Sequence, residues 1–155
     1  MGKFKTYWTN NNYKKNKTQS KMCFRSKWEI SFANYLDSND RVVEWKQDFA
    51  FKYLDAFVTK KIKTYYIDFK VKFKSGSIIF FEVKPIKSLQ ERVKTKSIKY
   101  KLIHKRNYLL NISKFDSVNS FCKRSKSEFI LVEQSRDKKF NFYRWNSKNH
   151  TVSKI

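Results

Sequence analysis

Hydrophobic residues recur every three to four positions in residues 25–40 (RSKWEISFANYLDSND), which is the period of an amphipathic helix. Its apolar face would consist of Trp28, Phe32, Tyr35 and Leu36. Ser26 can cap the start of this helix, and Glu29 three residues later completes a capping box. The pattern therefore predicts a helix that begins beside Ser26.

The hydrophobic period then changes to two, which is typical of β-strands. Residues 42–54 (VVEWKQDFAFKYL) space their aromatic residues by twos over most of their length, and residues 57–73 and 78–84 form two further predicted strands. Residues 74–77 (KSGS) turn between them, and Gly76 can supply the positive φ that such a turn often needs. Strict alternation predicts two faces for the middle strand, with Tyr66, Asp68, Lys70 and Lys72 on one and Tyr65, Ile67, Phe69, Val71 and Phe73 on the other.

A second helix is predicted after Pro85, with Ser88 and Glu91 as a capping box and an end at about Lys105. Its inward residues would be Leu89, Val93, Tyr100 and Ile103. Residues 107–112 (NYLLNI) are predicted as the next strand. The elements after it are a short helix around Phe115, Val118 and Cys122 and a strand at 128–133. The remainder, which includes FNFYRW, adds either an edge strand or a tail.

This order of elements predicts an α/β fold with a mixed central sheet. The first strands can pair as an antiparallel meander, and a helical crossover can place the next strand parallel to its neighbour. Residues 1–21 are predicted as a basic N-terminal arm, which is either a solvated tail or a segment that docks on the domain or on a partner. Residues 22–135 form the predicted domain, and residues 136–155 a basic C-terminal extension.

The charge of the chain narrows the kind of partner. Its 36 Lys and Arg against 13 Asp and Glu give a net charge of +23, which needs an anionic partner, and nucleic acid is the usual one. No apolar run approaches the roughly 20 residues of a membrane span, so we expect no membrane partner. Cys23 and Cys122 lie far apart without clustered histidines, which indicates reduced thiols in a cytosolic protein and not a zinc site or a disulfide framework.

Charged residues inside the predicted hairpin suggest chemistry. Glu82 and Lys84 share one strand face, and pairing about Gly76 brings Asp68 to the same end of the neighbouring strand. Two adjacent carboxylates repel each other, and a hard cation such as Mg²⁺ relieves that repulsion. The cation can polarise a phosphate and acidify a bound water, and the lysine can position that water. Asp68 followed by Glu82 and Lys84 is therefore a workable site for phosphodiester cleavage.

Each of these residues also has a plainer interpretation. Glu29 can be only a member of the capping box, Glu82 and Lys84 can be a solvated cross-strand pair, and Asp68 can be an ordinary exposed aspartate. Their joint occurrence, in this order and in so basic a chain, favours a site.

At these residues the chain resembles the PD-(D/E)XK nuclease superfamily. The matching elements are Asp68, Glu82-Val83-Lys84 and the helical Glu29, with Ile67 where the pattern has proline. The resemblance implies a restriction-endonuclease-like core, a mixed sheet flanked by helices. It implies that Asp68, Glu82 and the Val83 carbonyl bind Mg²⁺ or Mn²⁺. Lys84 would act on the attacking water, and Glu29 would complete the acidic cluster.

Residues 22–90 more narrowly resemble the head-completion nuclease family of contractile-tailed phages, through the strings FRSKWEISFANYLDSNDRVVEW, YYIDFKVKFKSG and FFEVKP. They are also similar to endonucleases of the TnsA type, which carry a glutamine near Gln47 that could touch the site. The resemblance implies an endonuclease acting on phage DNA during head completion, found in the virion or the host cytoplasm. Its partners would be DNA and head, portal or neck proteins. The alternative is a structural virion protein that keeps the fold for binding DNA or protein.

Basic residues around the site are candidates for DNA contact. They are Arg25, Lys27, Lys87, Lys94, Lys96 and Lys99. The lysine-rich face of residues 87–105 is either a solvated helix face or a surface for phosphate groups. Its place directly after the predicted site keeps both interpretations open.

Overall fold

The computed structural model describes residues 7–8, 13–18 and 22–155. Its helices are α1 (Lys27–Ser38) and α2 (Ile98–Arg124), with a 3₁₀ turn at Ile86–Leu89. Its strands are β1 (Tyr7–Trp8), β2 (Cys23–Phe24), β3 (Val42–Leu54), β4 (Ile62–Phe73), β5 (Ile78–Val83), β6 (Glu128–Gln134), β7 (Phe140–Asn146) and β8 (Thr151–Lys154). The described part of the arm pairs β1 with β2 in a separate antiparallel ribbon.

Six strands form the central sheet in the order β3-β4-β5-β6-β7-β8. All neighbours are antiparallel except β5 and β6, which α2 connects as a parallel pair. One apolar cluster packs α1 on one side of the sheet, and a second packs α2 on the other. The predicted mixed α/β fold is confirmed.

The first helix forms as its sequence predicts. Ser26 is the N-cap, and its Oγ accepts a hydrogen bond from the Glu29 amide at 3.2 Å. The Glu29 carboxylate accepts from the Arg25 amide at 3.0 Å, so the box closes one residue before the cap. The apolar side of α1 then packs Phe32 on Phe69 and Phe81 of the sheet.

The prediction for residues 86–124 is wrong in its elements. The chain makes the 3₁₀ turn and an irregular segment before α2 begins at its N-cap Ser97, so Ser88 and Glu91 start no long helix. NYLLNI is not a strand, because α2 continues through it. The residues buried under α2 are three or four positions apart, at Tyr108, Ile112, Phe115, Val118 and Cys122. Tyr100 and Ile103, predicted inward, are exposed.

Strict alternation along β4 is also wrong. Tyr65 and Ile67 lie in the apolar cluster of α2, whereas Phe69 and Val71 lie in that of α1. The break falls at Asp68, where Ile67, Asp68 and Phe69 are all buried in succession. The partner strand carries Asp48 at this level, with a left-handed φ of 54°, and this local irregularity interrupts the regular pleat.

The ends of the chain are partly built into the domain. Trp45 of β3 accepts from the Lys17 amide at 2.8 Å and donates to the Lys15 carbonyl at 3.0 Å, so the described part of the arm docks on the domain. The rest of the predicted arm, residues 1–6, 9–12 and 19–21, lies outside the described residues. Of the two interpretations for the last twenty residues, the strand holds, because β7 and β8 extend the sheet. Among the described residues, no helix has the length and apolar character that crossing a membrane requires.

Candidate active site

Four residues singled out in the sequence line one cavity of ≈ 350 Å³ at the end of β5. They are Glu29 from α1, Asp68 from β4, and Glu82 and Lys84 from β5 and the residue after it. The hydrogen-bonded register of β4 and β5 pairs Phe69 with Phe81, which brings Asp68 level with Glu82. The hairpin therefore places the two carboxylates on neighbouring strands.

Asp68 is held rigidly in this cavity. Its Oδ2 accepts a hydrogen bond from the Val83 amide at 2.8 Å, and its side chain is buried. Burial raises the pKa of Asp68 well above its usual range, and the nearby carboxylates of Glu82 and Glu29 raise it further. Arg25 and the Val83 amide offset only part of this effect.

Glu82 is buried with an unused oxygen. Among the described residues, its Oε2 has no hydrogen-bond partner, and its Oε1 lies 3.7 Å from Lys84 Nζ. Lys84 is fixed by its amide, which donates to the Val132 carbonyl at 2.8 Å, and by Nζ, which donates to Asn111 Oδ1 at 3.3 Å. Glu82 and Lys84 are therefore not a solvated surface pair.

Glu29 combines the two roles considered for it. It belongs to the start of α1 through its bonds to Arg25 and Ser26, and it also lines the cavity. Burial raises the pKa of Glu29, although its hydrogen bond from the Arg25 amide opposes that shift.

Arg25 is the counterion of the acidic cluster. Its Nη2 lies 2.8 Å from Asp48 Oδ1 and 3.1 Å from Asp68 Oδ1. Asp48 was missed in the sequence analysis, because it reads there as one polar residue of an alternating strand. Its position opposite Asp68 across β3 and β4 was the available signal.

Lys114 was missed as well. It lines the cavity from α2, and its Nζ lies 5.1 Å from the centre of the Tyr65 ring. Burial lowers the pKa of Lys114, and the charge of Lys84 lowers it further. The missing signal was helical: Lys114 lies one turn after Asn111, but residues 107–112 were predicted as a strand.

The other predicted residues lie away from the cavity lining. Gln47 is buried, and its Nε2 donates to the Cys23 carbonyl at 2.8 Å. The exposed lysines among the DNA-contact candidates are Lys27, Lys87, Lys94, Lys96 and Lys99. Lys94 and Lys96 lie in the irregular segment and Lys99 in the first turn of α2, so they share no helix face. Their roles in binding stay predictions.

The donor set of the cavity suits a hard cation. In the described part of the chain, no three His, Cys, Asp or Glu side chains are arranged to hold a metal ion. Mg²⁺ needs fewer protein ligands, because it keeps several waters and commonly binds one or two carboxylates. Asp68 and Glu82 supply two carboxylates, and Glu82 Oε2 is buried and unpaired. The residues present therefore fit a magnesium ion.

Comparison with known proteins agrees with this geometry. Residues 39–134 match the family described as TnsA-like endonuclease N terminal, which includes Asp68, Glu82 and Lys84 but not Glu29. The head completion nuclease of Enterobacteria phage T4 is 34% identical over 74 residues, 48% of this chain and 49% of that protein. The matched region thus spans about half the length of this curated relative. No solved structure matches significantly.

The family match confirms the resemblance found in the sequence and a restriction-endonuclease-like α/β core. It covers more than half of the chain, including the hairpin that carries the acidic pair. The chain belongs to the TnsA-like endonuclease N-terminal family.

Proposed function

We propose that this protein is a metal-dependent DNA endonuclease that acts on phage DNA during head completion. The observation that carries the proposal is the pair Asp68 and Glu82, held on adjacent strands beside Lys84, with Glu82 Oε2 buried and unpaired. An arrangement of this kind stores electrostatic repulsion that a divalent ion relieves. A net charge of +23 draws a polyanion to the cavity.

Each residue has a distinct role in this proposal. Asp68, Glu82 and the Val83 carbonyl would hold Mg²⁺ or Mn²⁺, which supplies polarisation of the phosphate and acidification of a bound water. Lys84 positions the attacking water, because Glu82 and Asn111 fix its ammonium group at the edge of the cavity. Glu29 adds negative charge beside the ligands, and Arg25 neutralises Asp68 until substrate and metal are bound.

The biological setting is part of the proposal. Support comes from the phage relative, whose printed name is head completion nuclease. The protein would reside in the virion or the host cytoplasm and contact head, portal or neck proteins besides DNA. A structural virion protein is the weaker alternative, since a chain without chemistry would be free to lose Asp68, Glu82 and Lys84.

Cleavage by two site variants tests the enzymatic proposal. Asp68→Asn removes a ligand charge and Lys84→Ala removes the water-positioning group, so both should abolish magnesium-dependent nicking of supercoiled plasmid. The exposed residues Asp40 and Lys123 give matched controls, and Asp40→Asn and Lys123→Ala should cleave like the wild type. Undiminished nicking by both site variants would refute the assignment.

A further inference from the structure

A second cavity of ≈ 270 Å³ adjoins the candidate active site. The two cavities share Lys84 and Lys114 in their linings. The remaining lining residues of the second cavity come from the 3₁₀ turn and α2, and they are Ser88, Tyr100, Ile103, His104, Asn107, Leu110 and Asn111. A chain of substrate that leaves the first cavity past these lysines enters the second.

The second cavity is ordered by charge. Lys84 and Lys114, at the end shared with the active site, are its only lysines or arginines among the described lining residues. Its other side chains are a hydroxyl, two amides, two rings and aliphatic groups. A duplex backbone would call for cations along its whole length. A nucleotide has the observed order instead, with a charged phosphate at one end and a planar base with donors and acceptors at the other.

Lys114 suits the phosphate end. The side chain is half-buried on α2, and it makes no ion pair among the described residues. Its listed surroundings of charge are mixed: Glu82 favours its ammonium form, while Lys84 disfavours it. A half-buried ammonium without a direct counterion is stabilised by an incoming anion.

Tyr100 and the asparagines suit the base end. The Tyr100 ring is 52% exposed and lies nearly parallel to His104, with ring centres 6.5 Å apart and planes at 28°. His104 is anchored, since its Nε2 lies 2.6 Å from the Gln90 carbonyl. Asn111 is buried and uses Oδ1 for Lys84, which leaves its amide nitrogen as a donor for the cavity. An exposed ring beside amide donors is a surface on which a base can stack and be hydrogen-bonded.

We infer that the second cavity is a nucleotide subsite, in which Lys114 binds the phosphate next to the scissile bond and Tyr100 stacks on the base attached to it. This inference rests on the proposed function and names its substrate class. A paired base is stacked within its duplex and enters such a cavity only after unstacking, which costs a few kcal/mol. The preferred substrate is therefore DNA with an unpaired nucleotide beside the cleaved bond, as at a gap, a flap or a frayed end.

Fluorescence of an unpaired 2-aminopurine tests the subsite without cleavage. The Asp68→Asn background keeps the DNA intact, and a gapped duplex carries the probe at its unpaired position. Stacking on Tyr100 should quench the probe on binding, and adding Tyr100→Ala should remove the quenching. Phe57→Ala is a matched control, because Phe57 is 51% exposed and lies outside both cavities. Equal quenching with and without Tyr100, or no quenching at all, would overturn the subsite.

Cleavage of two substrates separates this inference from the proposed function. Tyr100→Ala should slow cleavage of the gapped duplex on the order of tenfold, the typical cost of losing one base–aromatic stack. It should leave cleavage of the fully paired duplex nearly unchanged, and Phe57→Ala should affect neither. An equal loss on both substrates contradicts the subsite. A wild type that quenches the probe but cleaves no DNA contradicts the proposed function and leaves the subsite standing.

Discussion

At the scale of single residues, Asp68 shows that the candidate site is costly to stability. Its carboxylate is buried among Glu82 and Glu29, and burial and these two charges hold its pKa well above the usual range. Val83 and Arg25 pair with it, yet they compensate only in part. A group in this position is tolerated for function and not for folding.

The cost predicts a stability gain for Asp68→Asn. Because the folded state raises the pKa, it binds more protons than the unfolded state above about pH 4, and stability falls as pH rises through that window. The variant should therefore melt higher than the wild type at pH 7–8, by a gain of roughly 1–3 kcal/mol, at about 2–4 °C per kcal/mol. The difference should vanish towards pH 4, where Asp68 is protonated in both states. Thermal melts across pH 4–8 measure this.

Asp137 provides a control with the opposite sign. It is exposed, and a hydrogen bond from the Ser135 hydroxyl lowers its pKa. Its contribution to stability is present at neutral pH and is lost as pH falls through the folded pKa. Asp137→Asn should therefore never melt above the wild type at pH 7–8. If Asp68→Asn behaves in the same way, Asp68 is not electrostatically costly.

At the scale of elements, α2 links the core to the candidate site. Its middle and last turns bury Ile112, Phe115 and Val118 under the sheet. The same turns carry Asn111 and Lys114 towards Lys84. One continuous helix thus sets the distance between the hydrophobic packing and the polar cavity, which a strand and a separate short helix would not do.

Two truncations on α2 should differ strongly. Ile112 is 4% exposed and Leu102 is 67% exposed. Ile112→Ala should lower the free energy of unfolding by about 2–5 kcal/mol through lost burial and a residual cavity. Leu102→Ala should change it by less than about 0.5 kcal/mol. Urea unfolding of both variants measures the difference, and equal effects would contradict the burial pattern of α2.

At the scale of the whole molecule, the charge of +23 lies largely outside the acidic cluster. Binding of DNA should therefore depend on counterion release more than on base sequence. With roughly six phosphates neutralised, raising salt from about 50 to 200 mM should weaken affinity on the order of a thousandfold. Asp68→Asn should leave the salt slope unchanged. Anisotropy titrations on unrelated duplexes measure it, and a flat slope in the wild type would favour a protein partner and the structural role.

Two triple variants locate the DNA surface. Replacing Lys94, Lys96 and Lys99 by alanine should flatten the salt slope if the segment before α2 meets DNA, although these lysines share no helix face. The control replaces Lys72, Lys74 and Lys123, which are exposed at the other end of the hairpin and of α2. Equal flattening by both would mean that DNA binds without preference for the side of the cavity.

The proposed setting predicts where the protein is found. If it works during head completion, purified particles or heads should contain it near the vertex through which DNA passes. Mass spectrometry of purified particles tests this. Free protein in the lysate with none on particles would favour a soluble repair or recombination nuclease.

Sequence alone determined the elements whose signals are local. The capping box at Ser26, the turn at Gly76 and the period of two in β3 each depend on neighbouring residues, and each is present in the structure. The convergence of Asp68 with Glu82 and Lys84 was predictable for the same reason, because a hairpin with a four-residue turn fixes which positions face each other.

Tertiary structure alone decided what depends on distant contacts. Residues 107–112 carry a short apolar run that suits a strand or a helix, and packing of Tyr108 and Ile112 on the sheet selected the helix. Asp48, Arg25 and Lys114 reach the acidic pair from three separate elements, so no spacing in the chain announces them. Local patterns specify hydrogen bonds between near neighbours, whereas the membership of a buried cavity is set by how the elements pack.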